Sequence, residues 1–193
     1  MLFRARRTGA RSAELFVEER VVPAGRPLPG PVIFVGAGAG ETGVVRAYDA
    51  DTGALRWSAT PFGVAFAGGV RVAAGDLTGD GIPDAVVSAG AGHAPRIEVL
   101  DGVTGAEIGG PLGTFLAYGS GVTGGVFVAA ADVDGDGRQD IVTAAVTDAG
   151  PRVKVFSGTD GRVLANFLVS GAAFAGGVTV AAADFTGDRK SVV

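Results

Sequence analysis

The chain contains no cysteine, which excludes a disulfide framework and any cysteine-based zinc site while leaving its compartment open. It has one histidine, His93, in a glycine-rich loop with no partner acid or nucleophile in evidence, so a surface residue is expected there rather than a catalyst. No nucleophile elbow, Ser/His/Asp set or zinc cluster occurs. The paired carboxylates that do occur are spaced for a metal cage rather than for a glycosidase pair. No run of about eighteen apolar residues free of breakers is present, so no membrane-spanning helix is expected. From Pro31 onward a sustained helical period is also missing. Aromatics make up only 7% of the residues, and Tyr48, Trp57, Phe115 and Tyr118 are expected in core or rim packing rather than on a sugar-binding surface.

What is abundant is glycine, with 34 residues, set among apolar residues that reach 47% and are mostly Val and Ala. That mixture suits many short strands joined by tight turns and is too apolar for disorder. The net charge of −4 is unevenly placed. Residues 1–29 carry six Arg against three Glu, and the remainder carries ten basic against seventeen acidic side chains. An acidic body does not look like a nucleic-acid binder, and its acids gather in three loops, which points to cations.

Residues 1–30 read as a basic, Pro-rich leader or linker expected to be disordered. Within it, Ala13 to Arg20 is compatible with a short helix, and Pro23, Pro27 and Pro29 mark a linker after it. The basic start has no apolar h-region behind it, because Glu14, Glu18 and Glu19 interrupt, so it does not read as an export signal.

Residues 31–193 are an internal repeat. The marker Gly-Gly-Val-x-Val-Ala-Ala-x-Asp occurs at 68–76, 124–132 and 176–184, its aspartates 56 and 52 residues apart. A second apolar run comes after each acidic loop: 85–89 and 141–145, with a counterpart at 32–36. A third strand and its turn recur as Val45–Asp49 with Thr52-Gly53, Ile97–Asp101 with Thr104-Gly105, and Val153–Ser157 with Asp160-Gly161. In the marker strand Val70, Val72 and Ala74 alternate with Arg71 and Ala73. In the third strand Arg46, Glu98 and Lys154 share one position expected to face outward. Gly53, Gly105 and Gly161 sit where a hairpin turn needs positive φ.

Four short strands in about fifty residues, repeated, are the signature of a β-propeller blade. The expected fold is therefore all-β, with units at about 31–67, 68–123 and 124–175 and a partial unit at 176–193. The first unit lacks a first strand and the last supplies little else. Three blades fall below the four to eight that close a ring. The chain is therefore expected to be a fragment of a longer array, or half of a six-bladed ring made by two copies.

The acidic loops carry the chemistry. Numbered from the first aspartate, positions one, three, five and nine offer side chains and position seven a backbone carbonyl. In the second loop these are Asp132, Asp134, Asp136, Asp140 and the carbonyl of Arg138. In the first they are Asp76, Thr78, Asp80, Asp84 and the carbonyl of Ile82. In the third, Asp184, Thr186 and Asp188 keep the pattern for half its length. Four carboxylates in nine residues repel one another without a cation and form a cage of hard oxygens with one, the chemistry Ca²⁺ prefers. The 132–140 loop, with one more carboxylate than 76–84, is expected to bind more tightly.

An EF-hand would need Glu at position twelve and flanking helices. Position twelve is Val87 or Thr143, and strands flank both loops. The segment Gly38-Ala-Gly40-Glu-Thr-Gly43 matches a dinucleotide fingerprint, but the next element is a strand rather than a helix, so it reads as a hairpin turn.

An Asp-x-Asp/Thr-x-Asp-Gly-x-x-Asp loop between two strands resembles the calcium loop of FG-GAP/VCBS repeats, found in integrin α-subunit propellers and many bacterial surface proteins. The resemblance covers residues 31–193. It implies a non-catalytic, Ca²⁺-binding adhesion or scaffolding module that is extracellular or at the cell surface. It also implies an unidentified protein or glycan partner. The open blade edges of a partial propeller lead separately to an expectation of self-association. The alternatives are a carbohydrate-binding or polysaccharide-degrading propeller, or a non-autonomous piece of a larger repeat protein.

Overall fold

The computed structural model describes residues 16–17, 30–147, 149–171 and 176–183. Among these described residues, twelve strands form three four-stranded sheets. Sheet 1 holds β1 (Phe16–Val17), β2 (Val32–Gly36), β3 (Val45–Asp49) and β4 (Leu55–Ala59). Sheet 2 holds β5 (Val70–Gly75), β6 (Asp84–Ala89), β7 (Arg96–Leu100) and β8 (Thr114–Leu116). Sheet 3 holds β9 (Val126–Ala131), β10 (Asp140–Ala145), β11 (Arg152–Phe156) and β12 (Val163–Leu168). Each sheet is an antiparallel meander in chain order. The described residues contain no α-helix, only a 3₁₀ turn at Gly110–Leu112 before β8.

Sheet 1 differs from the sequence expectation. Its first strand is supplied by Phe16–Val17, inside the stretch read as helix-compatible, with Phe16 opposite Phe34 and Val17 opposite Ile33. So short a helix is marginal in isolation, whereas the edge of β2 offers ladder partners.

The sheets pack face to face in chain order. Val32, Phe34, Val45, Ala47 and Trp57 of sheet 1 meet Val70, Val72, Ala85, Val87 and Leu100 of sheet 2. The other face of sheet 2, with Ala73, Val86, Ile97 and Val99, meets Val126, Val128, Ile141 and Phe156 of sheet 3. The alternation read in the marker strand is thus realised, Val70 and Val72 facing sheet 1 and Ala73 facing sheet 3. Strands β6 and β10 are buried at every position. They are mostly Val, Ile and Ala, as a sheet covered on both faces requires, with Asp84, Ser88, Asp140 and Thr143 as the buried polar exceptions.

Each third strand ends in the same turn. The N–H groups of Gly53, Gly105 and Gly161 donate to the carbonyls of Asp49, Asp101 and Ser157, and these glycines have φ of 70°, 71° and 74°. That left-handed conformation is the one glycine adopts without steric cost. The Gly38–Gly43 segment is the turn between β2 and β3, its ends joined by the Ala37 N–H to the Val44 carbonyl.

Glu98 departs from the outward position expected of it. Arg46 is exposed, but Glu98 is buried at 6% exposure, with Arg96 3.2 Å away as its ion-pair partner. The period of the strand gave no sign of this. Burial raises the Glu98 carboxyl above its usual 4.5, against the pull of Arg96. The folded state therefore holds this proton more tightly than the unfolded chain. Its contribution to stability is fullest below 4.5 and is lost as pH rises through the raised value. In chelator, denaturant titrations of Glu98→Gln between pH about 4.5 and 7.5 should lack this part of the decline. A variant tracking the parent at every pH would refute it.

Candidate metal centre

The two described acidic loops are the β5–β6 and β9–β10 connections, and they share a hydrogen-bond scaffold. In the second, Asp132 Oδ1 accepts the Gly135 N–H at 2.7 Å and Oδ2 accepts the Gly137 N–H at 2.9 Å. In the first, Asp76 Oδ1 and Oδ2 accept Gly79 and Gly81 N–H groups at 2.6 and 2.8 Å. Asp136 and Asp80 each accept the N–H of the position-seven residue, Arg138 or Ile82, at 2.8 Å. The glycines at positions four and six all have positive φ, which lets the backbone wrap around the first aspartate.

Position nine serves the backbone in both loops. Asp140 Oδ2 accepts the N–H groups of Val133 at 2.8 Å and Asp134 at 3.3 Å, and Oδ1 accepts that of Gly158 at 2.9 Å. Asp84 does the same for Leu77, Thr78 and Gly102 at 2.9, 2.9 and 3.0 Å. Each aspartate opens its strand, so the sheet fixes its side-chain direction. Burial pushes Asp84 up to about 6, with the Gly102, Thr78 and Leu77 N–H groups opposing it. Asp140 is raised for the same reason.

Carboxylate oxygens of Asp132, Asp134 and Asp136 lie within 4.8 Å of one another. Asp132 is buried and the other two are exposed. Three hard, anionic oxygen donors so close together can hold a metal ion. In the first loop Thr78 stands where Asp134 stands in the second, and no such group of acids forms there among the described residues. Asp184, Thr186 and Asp188 lie outside the described residues.

Two side chains at the site were not found from sequence. Thr159 Oγ1 donates to Asp136 Oδ2 at 2.6 Å, and Arg162 lies 3.5 Å from Asp134 Oδ2. The Thr159 hydroxyl, with the Arg138 N–H second to it, lowers the Asp136 pKa and keeps it ionised. Arg162 is mostly exposed, so its ion pair is weak. Both belong to the turn after β11, which pairing with β10 carries to the loop. The signal available was the repeat itself, which places a third-strand turn beside each of the two described acidic loops.

A groove of about 350 Å³ lies elsewhere, among Gly36–Ala39, Gly68–Val72, Gly90 and Phe127. The Arg71 guanidinium sits 4.1 Å over the Phe127 ring at its margin, and no carboxylate lines it. No protein-family model matches the chain, and no curated protein does.

Proposed function

We propose that this chain is a calcium-binding β-propeller module of the FG-GAP/VCBS type, acting without catalysis in adhesion or scaffolding outside the cell or at its surface. The observation that carries the reading is the convergence of Asp132, Asp134 and Asp136 in a loop joining two strands of a four-stranded meander. An all-oxygen donor set with a flexible glycine-bearing backbone favours Ca²⁺ over softer or smaller ions. Three meanders stacked face to face in chain order support the propeller. Calcium modules of modest affinity, about 10⁻⁴–10⁻³ M, operate where extracellular Ca²⁺ is abundant, and the partner there is a protein or a glycan.

Calcium works structurally in this reading. It offsets the mutual repulsion of three carboxylates held together by the fold, so its binding energy adds to folding. Thermal unfolding in Ca²⁺ at a hundredfold excess over its dissociation constant should show about 2.7 kcal/mol of stabilisation over chelator. Asp136→Ala should lose most of it. Isothermal titration should assign the tighter event to the 132–140 loop, with Asp76→Ala leaving it in place. An unchanged midpoint in Ca²⁺ would sink the reading.

A further inference from the structure

The two third-strand turns are seated on their acidic loops in the same way. The Gly158 N–H donates to Asp140 Oδ1 at 2.9 Å, and the Gly102 N–H to Asp84 Oδ1 at 3.0 Å. A Cβ on Gly158 would collide with the Gln139 carbonyl oxygen, and one on Gly102 with that of Pro83. Only glycine permits so close a backbone approach, so each turn is pressed against position eight of its loop. The residue after the glycine is thereby delivered to an equivalent place in both. It is Thr159 beside the second loop and Val103 beside the first. These two side chains share a β-branched shape and differ in the hydroxyl.

That hydroxyl is used. Thr159 Oγ1 donates to Asp136 Oδ2 at 2.6 Å, while the Arg138 N–H donates to Oδ1 at 2.8 Å. Asp136 is exposed, and the χ2 well of an aspartate is broad. Two donors, one on each oxygen, fix the plane of its carboxylate. Each oxygen keeps a second lone pair, which a cation can use.

The first loop lacks this arrangement. Asp80 accepts the Ile82 N–H at 2.8 Å and, among the described residues, no other donor. Val103 is 45% exposed beside it and has nothing to donate. Thr78 removes the third acid from that loop, and Val103 removes the hydroxyl that would orient the second. Arg162 also reaches the second loop from its turn, but at 3.5 Å and 60% exposure its contact with Asp134 is screened and imposes little direction.

We propose that Thr159 is a positioning residue for a divalent cation in the 132–140 loop. The buried brace Asp140 sets Gly158, Gly158 places Thr159, and Thr159 holds Asp136 turned toward the ion. Asp134 and Thr159 together distinguish this loop from the 76–84 loop. The inference rests on the calcium reading and adds to it a residue outside the acidic motif.

Isothermal titration with Ca²⁺ is the test, run beside urea titration in chelator. Thr159→Val, which gives the second turn the side chain of the first, should weaken binding by about 10-fold or more. The urea midpoint in chelator should stay where it is, because the bond joins two exposed side chains. Thr159→Ser, which keeps the hydroxyl, should bind close to the parent. The converse can be built in an Asp136→Ala chain, where the second site is disabled. There Thr78→Asp with Val103→Thr should bind Ca²⁺ about 10-fold or more tightly than Thr78→Asp alone. The assignment is overturned, with the calcium reading left standing, by any of four results: a Thr159→Val protein that binds like the parent, a Thr159→Ser protein that binds no better than Thr159→Val, a chelator midpoint that falls with Thr159→Val, or a Val103→Thr change that adds nothing. A parent chain that takes up no Ca²⁺ would overturn both.

Discussion

Asp140→Ala is expected to destabilise the protein by about 3 kcal/mol, even with all metal removed. Its carboxylate accepts three backbone N–H groups, from Val133, Asp134 and Gly158, and the residue is fully buried. Each orphaned N–H costs about 1–3 kcal/mol. The relief of no longer burying a carboxylate, visible as its raised pKa, subtracts from that total. Asp140→Asn should recover little, since an amide turns one donor toward N–H groups that need acceptors. By contrast, Asp136→Ala in chelator should cost well under 1 kcal/mol, because Asp136 is exposed and its contacts are solvated. Urea titrations of the three variants in chelator measure this directly. Equal losses for Asp140→Ala and Asp136→Ala would show that the ninth aspartate does not brace the loop.

That contrast marks what the sequence reveals and what it hides. The spacing of Asp132, Asp134, Asp136 and Asp140 is visible, and it places all four as ligands. Three converge. The fourth opens β10 in register with Ala131, and its direction is a property of the sheet. The strands were legible because Val and Ala runs bounded by glycine turns recur every 52 to 56 residues. Local periodicity alone would have read β6 as an unassignable apolar run. Glu98 shows the limit of such periodicity: its position in the strand is right, yet it is a buried residue paired with Arg96. Thr159 and Arg162 escaped for a related reason, since strand pairing, not nearness in sequence, brings them to the acidic loop.

Trp57→Ala should cost about 3–5 kcal/mol, the usual range for emptying a large aromatic site, and its effect should spread in one direction. Trp57 is 9% exposed and leans on Phe34 at 5.6 Å. It lies so close over Gly105 that a Cβ there would meet the indole at 2.6 Å. Its Nε1–H donates to the Gly102 carbonyl at 3.1 Å, and the N–H of Gly102 donates to Asp84. Asp84 in turn holds Leu77 and Thr78 of the first acidic loop. One contact between sheets thus steadies Gly102, whose N–H holds Asp84, the brace of that loop. The second loop is tied differently, with Pro111 and Leu112 lying over Gly161. Trp57→Ala should therefore speed amide exchange at Leu77 and Thr78 well before Val133 and Gly135 respond, while Trp57→Phe, which keeps an apolar ring but loses the donor, should produce an intermediate effect. Amide exchange that rises equally in both loops would mean the variant acts through global unfolding, and the coupling from Trp57 through Gly102 to Asp84 would have to be given up.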